Sequence, residues 1–141
     1  MPKAGGAVAT VWSAPDAGGR RVVDQPGNLA LSGSTLFAVL ADSASGQSIG
    51  AFSTTGAASP TILVTLDGYA TIAAYGSDVF WMTNTSGSTW ALQEASLGGG
   101  PVTTLATMGP MVSPAVVAPD GTLYWTQGSG AVWNQLRWLK P

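Results

Sequence analysis

The sequence predicts an all-β protein built from repeated four-stranded units, and three observations carry that expectation. Gly and Pro, 19 and 9 of them, interrupt the 141-residue chain every few residues, and Val, Ile, Thr and aromatics fill the gaps. Helices tolerate that punctuation poorly, and strands favour that filling. No stretch longer than about ten residues keeps a helical period. The third observation is self-similarity. Leu29-Ala30-Leu31-Ser32-Gly33-Ser34-Thr35-Leu36-Phe37 matches Ile72-Ala73-Ala74-Tyr75-Gly76-Ser77-Asp78-Val79-Phe80 and Val116-Val117-Ala118-Pro119-Asp120-Gly121-Thr122-Leu123-Tyr124 without gaps, at steps of 43 and 44 residues. A period of about 40–45 residues with four short strands is what a β-propeller blade requires. The expected architecture is therefore a β-propeller of antiparallel blades, about three in this chain.

Each expected element follows from the repeat. The first strand of a unit carries small residues (Ala30, Ala73, Ala74, Ala118), which suits crowding near a central axis. The second carries Phe37, Phe80 or Tyr124, the bulky contact between neighbouring units. Asp120-Gly121 between two apolar runs signals a hairpin in which both residues accept positive φ. Gly/Ser turns at Ser43–Gly46, Thr85–Ser88 and Gly128–Gly130 lead to third strands at 47–53, 89–96 and 131–138. The turns Thr54-Thr55-Gly56 and Leu97-Gly98-Gly99-Gly100 lead to fourth strands at 61–66 and 102–107. The N-terminus repeats the tail of a unit, with Gly6 to Ser13 as a third strand and Arg20-Arg21-Val22-Val23 as a fourth. The chain then reads as one repeat domain over 1–141: a partial blade at 6–25, blades at 28–66 and 69–108, and a partial blade at 114–138.

Leu123-Tyr124-Trp125-Thr126-Gln127 and Val79-Phe80-Trp81-Met82-Thr83-Asn84 resemble the YWTD-type repeat, and they are similar to propeller repeats of secreted bacterial proteins. Gln127 stands where the YWTD signature has Asp. The resemblance covers most of residues 6–138 and implies a propeller that serves as a binding or adhesion scaffold.

Composition excludes much chemistry. Without Cys there is no disulfide, thiolate metal site or thiol nucleophile, and without His no Ser-His pair or His-ligated zinc. The five basic residues, Lys3, Arg20, Arg21, Arg137 and Lys140, sit at the two ends, and residues 22 to 136 contain none. A basic surface for nucleic acid or a polybasic membrane anchor is not expected. No apolar run reaches a membrane span, and Met1 to Gly6 is followed by no apolar signal-peptide core, so membrane insertion is not expected. Few charges among many Ser, Thr and Gly favour an extracellular or cell-surface setting.

The seven carboxylates are Asp16, Asp24, Asp42, Asp67, Asp78, Glu94 and Asp120. Asp67, Asp78 and Asp120 stand beside Gly or Ser at expected turns, where Asp bonds locally. Glu94, the only Glu, is the first choice for an isolated acid, with a solvated strand face as the plainer role. Asp42-Ser43-Ala44-Ser45-Gly46-Gln47 has oxygen donors at alternate positions but lacks the carboxylates and closing Glu of a calcium loop. No catalytic residue, metal or cofactor is expected, and the chain is not read as an enzyme.

Six Trp are present: Trp12, Trp81, Trp90, Trp125, Trp133 and Trp138. Trp81 and Trp125 follow the repeat aromatic, point to the opposite face of the same sheet, and read as structural. Trp90 and Trp133 take similar third-strand places, one position out of strict register. Trp90 with Gln93, and Trp133-Asn134-Gln135, combine an aromatic face with amides, the composition that stacks and hydrogen-bonds a sugar. The leading expectation is a non-catalytic, lectin-like module binding carbohydrate between blades through those five residues. The alternative is a purely structural or assembly module, or a piece of a larger propeller. Three units do not close a ring, so two chains are expected to pair head to tail into a six-bladed homodimer.

Overall fold

The structure is a computed structural model that describes residues 21–23, 25, 27–42, 46–55, 59–129 and 132–141; the side chains of Asp42, Met111, Ser129 and residues 132–134 lie outside that description. The expected strands between residues 6 and 20 also lie outside it. The described chain is all-β, with thirteen strands in three antiparallel sheets. Sheet 1 holds β1 (Arg21–Val22), β2 (Leu29–Ser32), β3 (Thr35–Asp42), β4 (Gly46–Ser53) and β5 (Thr61–Leu66). Sheet 2 runs β6 (Ala70–Tyr75), β7 (Asp78–Ser86), β8 (Thr89–Ser96), β9 (Thr103–Met108). Sheet 3 holds β10 (Met111–Val112), β11 (Val116–Val117), β12 (Leu123–Ser129) and β13 (Val132–Leu139).

The repetition extends to details the sequence does not display. Thr54 N–H donates to the Ser34 carbonyl (2.9 Å), and 43 residues on Leu97 N–H donates to the Ser77 carbonyl (2.8 Å). In sheet 1 the register skips Leu63, leaving it unpaired between Ile49–Val64 and Gly50–Ile62. In sheet 2 it skips Leu105 in the same way, between Leu92–Ala106 and Gln93–Thr104. A bulge at one matched place bends both fourth strands alike.

Among the described residues, Arg21 and Val22 belong to sheet 1. They pair with Ala41 and Leu40 of β3, so the sheet begins before the expected boundary between 25 and 28. The reason is backbone satisfaction. β2 covers only Thr35 to Ala38 of β3, and the rest of that edge needs partners. Val23 N–H donates to the Val39 carbonyl, and Val39 N–H donates to the Asn28 carbonyl, both at 2.9 Å, so the inner strand leaves and returns at one residue. Sheet 3 has the same interruption. β10 and β11 both pair with β12, and between them Ser113 N–H donates to the Thr126 carbonyl (3.0 Å).

The third unit also departs from the ungapped match. Leu29 lies opposite Ala38 and Ile72 opposite Trp81, but Val116 lies opposite Tyr124, one position out. The turns explain it. Ser32–Thr35 and Tyr75–Asp78 close two-residue loops whose first residue, Gly33 or Gly76, has φ 58° or 60°. That suits Gly at the first central position of a type II′ turn. In the third unit Ala118 N–H donates to the Thr122 carbonyl across three residues, and only Gly121 has positive φ (86°). Asp120 does not, contrary to expectation, because the loop is the three-residue hairpin with one left-handed Gly. The extra residue flips the β11 side chains, so Val117 packs inward and Val116 is exposed.

The sheets stack face to face with sheet 2 between the others. Phe37, Val39 and Ile49 of sheet 1 pack with Ile72, Val79 and Trp81 of sheet 2. Phe80, Met82 and Leu92 on the other face of sheet 2 pack with Leu123 and Trp125 of sheet 3. Alternation along each strand produces this division. The inner strands converge. Ile72 N–H donates to the Gly27 carbonyl (2.7 Å), and a Cβ on Gly27 would lie 3.3 Å from Thr71 and 3.8 Å from Pro114. The repeat aromatic is buried at Phe37 and Phe80, but Tyr124 is 37 % exposed because no described sheet follows sheet 3. On that face Tyr124 adjoins Val116, Leu136 and Trp138, which are 63, 72 and 67 % exposed.

Candidate functional site

Among the described residues, two grooves between the sheets combine polar and apolar linings. The first, of about 340 Å³, lies between sheets 1 and 2 and is lined by Thr65, Asp67, Thr83, Asn84, Thr85 and Gln93, with Val64, Leu66, Val102 and Trp81 as its apolar part. β5 and the bend after it supply Thr65 and Asp67, and the end of β7 supplies Thr83 to Thr85. Trp81 is buried, and its indole N–H donates to Gln93 Oε1 (3.0 Å). Gln93 Nε2 in turn donates to Thr104 Oγ1 (3.4 Å) on β9. That chain fixes the amide orientation, because the indole can only donate. Asn84 Nδ2 donates to the Gly87 carbonyl (3.1 Å) and Thr85 Oγ1 to the Thr89 carbonyl (3.1 Å), which holds the β7–β8 turn.

The second groove, of about 210 Å³, lies between sheets 2 and 3 and is lined by Tyr69, Thr71, Met82, Trp90, Val112, Ser113 and Pro114. Tyr69 is exposed and Trp90 is half-buried against the second core cluster. Ser113 Oγ accepts the Thr126 N–H (2.9 Å) and donates to the Pro114 carbonyl (3.2 Å), so the hydroxyl is engaged locally.

The structure separates Trp90 and Gln93, which the sequence grouped. Three residues apart on β8, they point to opposite faces and line different grooves. Gln135 is exposed on β13, opposite Gln127. The side chains of Trp133 and Asn134 lie outside the described residues, but their backbone explains the one-residue offset of Trp133. The register passes from Gln127–Gln135 to Gly128–Trp133, skipping Asn134, so Trp133 takes the pairing place that Trp90 has opposite Asn84. Thr65, Asp67, Thr83, Asn84 and Thr85 were missed as a group. They are dispersed over two units, and only the stacking of sheets brings them together.

Among the described residues no three His, Cys, Asp or Glu side chains cluster to hold a metal. Glu94 lines neither groove, and burial, then the nearby Asp78 charge, raises its pKa. Asp120 has its pKa lowered to about 2 by the Thr122 backbone N–H, then the Thr122 hydroxyl, then Lys140. The distances are 3.0 Å from Thr122 N to Oδ1, 2.9 Å from Thr122 Oγ1 to Oδ2, and 3.2 Å from Lys140 Nζ to Oδ2. Asp120 is thus a turn residue tied to the end of β13. No protein-family model, curated protein or solved structure matches the chain.

Proposed function

We propose that this chain is a non-catalytic binding module of propeller type, whose sheets are blades and whose inter-sheet grooves take carbohydrate. The observation that supports it best is the groove between sheets 1 and 2, where three Thr hydroxyls, the Asn84 and Gln93 amides and one carboxylate surround a partly apolar floor. Sugars present alternating hydroxyls and C–H faces, and short polar side chains beside apolar surface meet both. The second groove adds Tyr69 and Trp90 as aromatic faces. Converging inner strands and the matched bulges of sheets 1 and 2 support the propeller reading. The absence of His and Cys from the sequence supports a binding role over catalysis. A glycan array followed by titration calorimetry is the test. Binding by the wild type, lost in Asp67→Ala or Trp90→Ala variants that keep a cooperative melt, supports the assignment. A wild type silent across the array overturns carbohydrate as the ligand.

A second, compatible reading is assembly, favoured by the apolar face formed by Val116, Tyr124, Leu136 and Trp138. In the two internal interfaces the equivalent aromatic, Phe37 or Phe80, is covered by the next sheet. A second copy of the chain is proposed to cover Tyr124 in the same manner and continue the stack toward a ring.

A further inference from the structure

We infer that Trp125 and Arg137 form a carboxylate-binding subsite on sheet 3, and that the sugar it selects is acidic; this deepens the carbohydrate proposal and rests on it. The inference comes from comparing one position in two sheets. In sheet 2, Trp81 stands opposite Gln93, and Gln93 accepts the indole N–H. In sheet 3, the matching Trp125 stands opposite Arg137. Trp125 is 6 % exposed, and its Nε1 has no hydrogen-bond partner. Arginine offers five N–H donors and no acceptor, so it cannot do for Trp125 what Gln93 does for Trp81. A buried donor without an acceptor is uncommon in a folded protein and requires an explanation. Arg137 is exposed and has no ion-pair partner among the described residues. Side chains directly opposite on antiparallel strands have their Cβ atoms about 5 Å apart on one face. The pair therefore carries donors alone: an exposed guanidinium and, opposite it, an indole N–H buried in the free chain, which a ligand oxygen reaches only with local opening of the surface.

The surroundings change in the same direction. By register and repeat, Gly109 replaces Asp67 and Gln127 replaces Thr83, and a Cβ on Gly109 would lie 3.6 Å from the Gln127 amide nitrogen. The carboxylate of the first groove is thus missing where the guanidinium appears. A planar carboxylate fits both donors, since guanidinium forks onto its two oxygens and a charged acceptor strengthens the indole bond. The first groove, with Asp67 and a satisfied indole, would repel the same group.

The test is titration of the wild-type chain with D-glucuronate, D-glucose and acetate at low salt, read by Trp fluorescence and calorimetry. Glucuronate saturates the wild type, glucose binds at least tenfold more weakly, and Arg137→Gln loses glucuronate at least tenfold. That variant rebuilds the Trp81–Gln93 arrangement, so it keeps the fold. Trp125→Phe, which removes the N–H along with part of the ring, weakens glucuronate with Arg137 intact, and a cooperative melt of that variant shows that the core is kept. Equal binding of glucose and glucuronate, unchanged in Arg137→Gln, overturns the acidic-sugar subsite and leaves the carbohydrate proposal standing. Acetate binding as tightly as glucuronate, and lost in Arg137→Gln, upholds the carboxylate site and overturns the sugar. No response to glucuronate or acetate overturns the subsite.

Discussion

A single hydrogen bond separates two tryptophans that the repeat places alike. Trp81 donates to Gln93, whereas Trp125 has no acceptor. Replacing Gln93 with Leu strands the Trp81 N–H in a buried position, which costs about 1–3 kcal/mol. Arg137→Gln is expected to act in the opposite sense and raise the melting temperature by about 3 °C, the equivalent of roughly 1 kcal/mol. Calorimetric melts of both variants check the pair of signs. The two shifted carboxylates are also expected to oppose each other. Asp120, with its pKa lowered from 3.8 to about 2, contributes stability that is complete above the unfolded value and lost as pH falls through the folded one. The stability difference between wild type and Asp120→Asn should therefore shrink from pH 4 to pH 2. Glu94 is raised from 4.5, so the fold disfavours its charged form, and the penalty grows as pH rises through and above that value. Glu94→Gln should gain on the wild type over that range, by a small amount because the side chain is only partly buried. Thermal melts at constant ionic strength between pH 2 and pH 7 measure both trends.

Strand by strand, the repeat was legible where local chemistry decides it. β4, Gly46–Ser53, and β8, Thr89–Ser96, cover the stretches expected from the Gly/Ser turns and the alternation of apolar residues. What escaped depends on backbone pairing at a distance. Arg21-Val22 resembles the end of a unit in sequence, yet it joins β3 because that edge has free hydrogen-bonding groups. The ungapped alignment of Val116 with Ile72 hides a one-residue shift, because the loop at Pro119 to Gly121 is one residue longer while the strand leading to it is shorter. The grooves were legible only as residue types. Gln93 lies in the first groove, but its neighbours Asp67 and Asn84 come from other elements, and Trp90 points to the other groove because side chains alternate along β8. Stacking carries its own expected outcome. Phe80→Ala, in the interior between sheets 2 and 3, should cost about 3–5 kcal/mol. Tyr124→Ala, the same repeat position on the open face, should cost less, about 1–2 kcal/mol in the isolated chain, because more than a third of that residue already stands in solvent. Urea denaturation of both at low protein concentration tests whether position in the stack, rather than position in the repeat, sets the energy.

At the scale of the molecule, the stack has a direction. Each repeat aromatic points toward the next sheet, and each following Trp points back, so sheet 3 ends with Tyr124 uncovered. Val116, Leu136 and Trp138 extend that surface along one face, and exposed apolar patches of this kind mark interaction sites. β13 is also an edge, with no described strand in the place that β5 and β9 take beside β4 and β8 in sheets 1 and 2. At the other end, the inner strand of sheet 1 exposes Leu29 and Leu31, while Ala38, Leu40 and Phe52 on the same sheet are buried. If a second copy continues the stack in the same direction, its Leu29 and Leu31 meet the open face of sheet 3. Light scattering at micromolar concentration should then report about twice the chain mass of 14.2 kDa. Leu136→Glu with Trp138→Glu should return the monomer, because charges placed on a closing apolar face lose their solvation. Leu29→Glu with Leu31→Glu should do the same for a head-to-tail pair, whereas two sheet 3 faces meeting across a two-fold axis would leave that variant dimeric. A wild type that stays monomeric at micromolar concentration would show that the open face of sheet 3 does not seat a second copy.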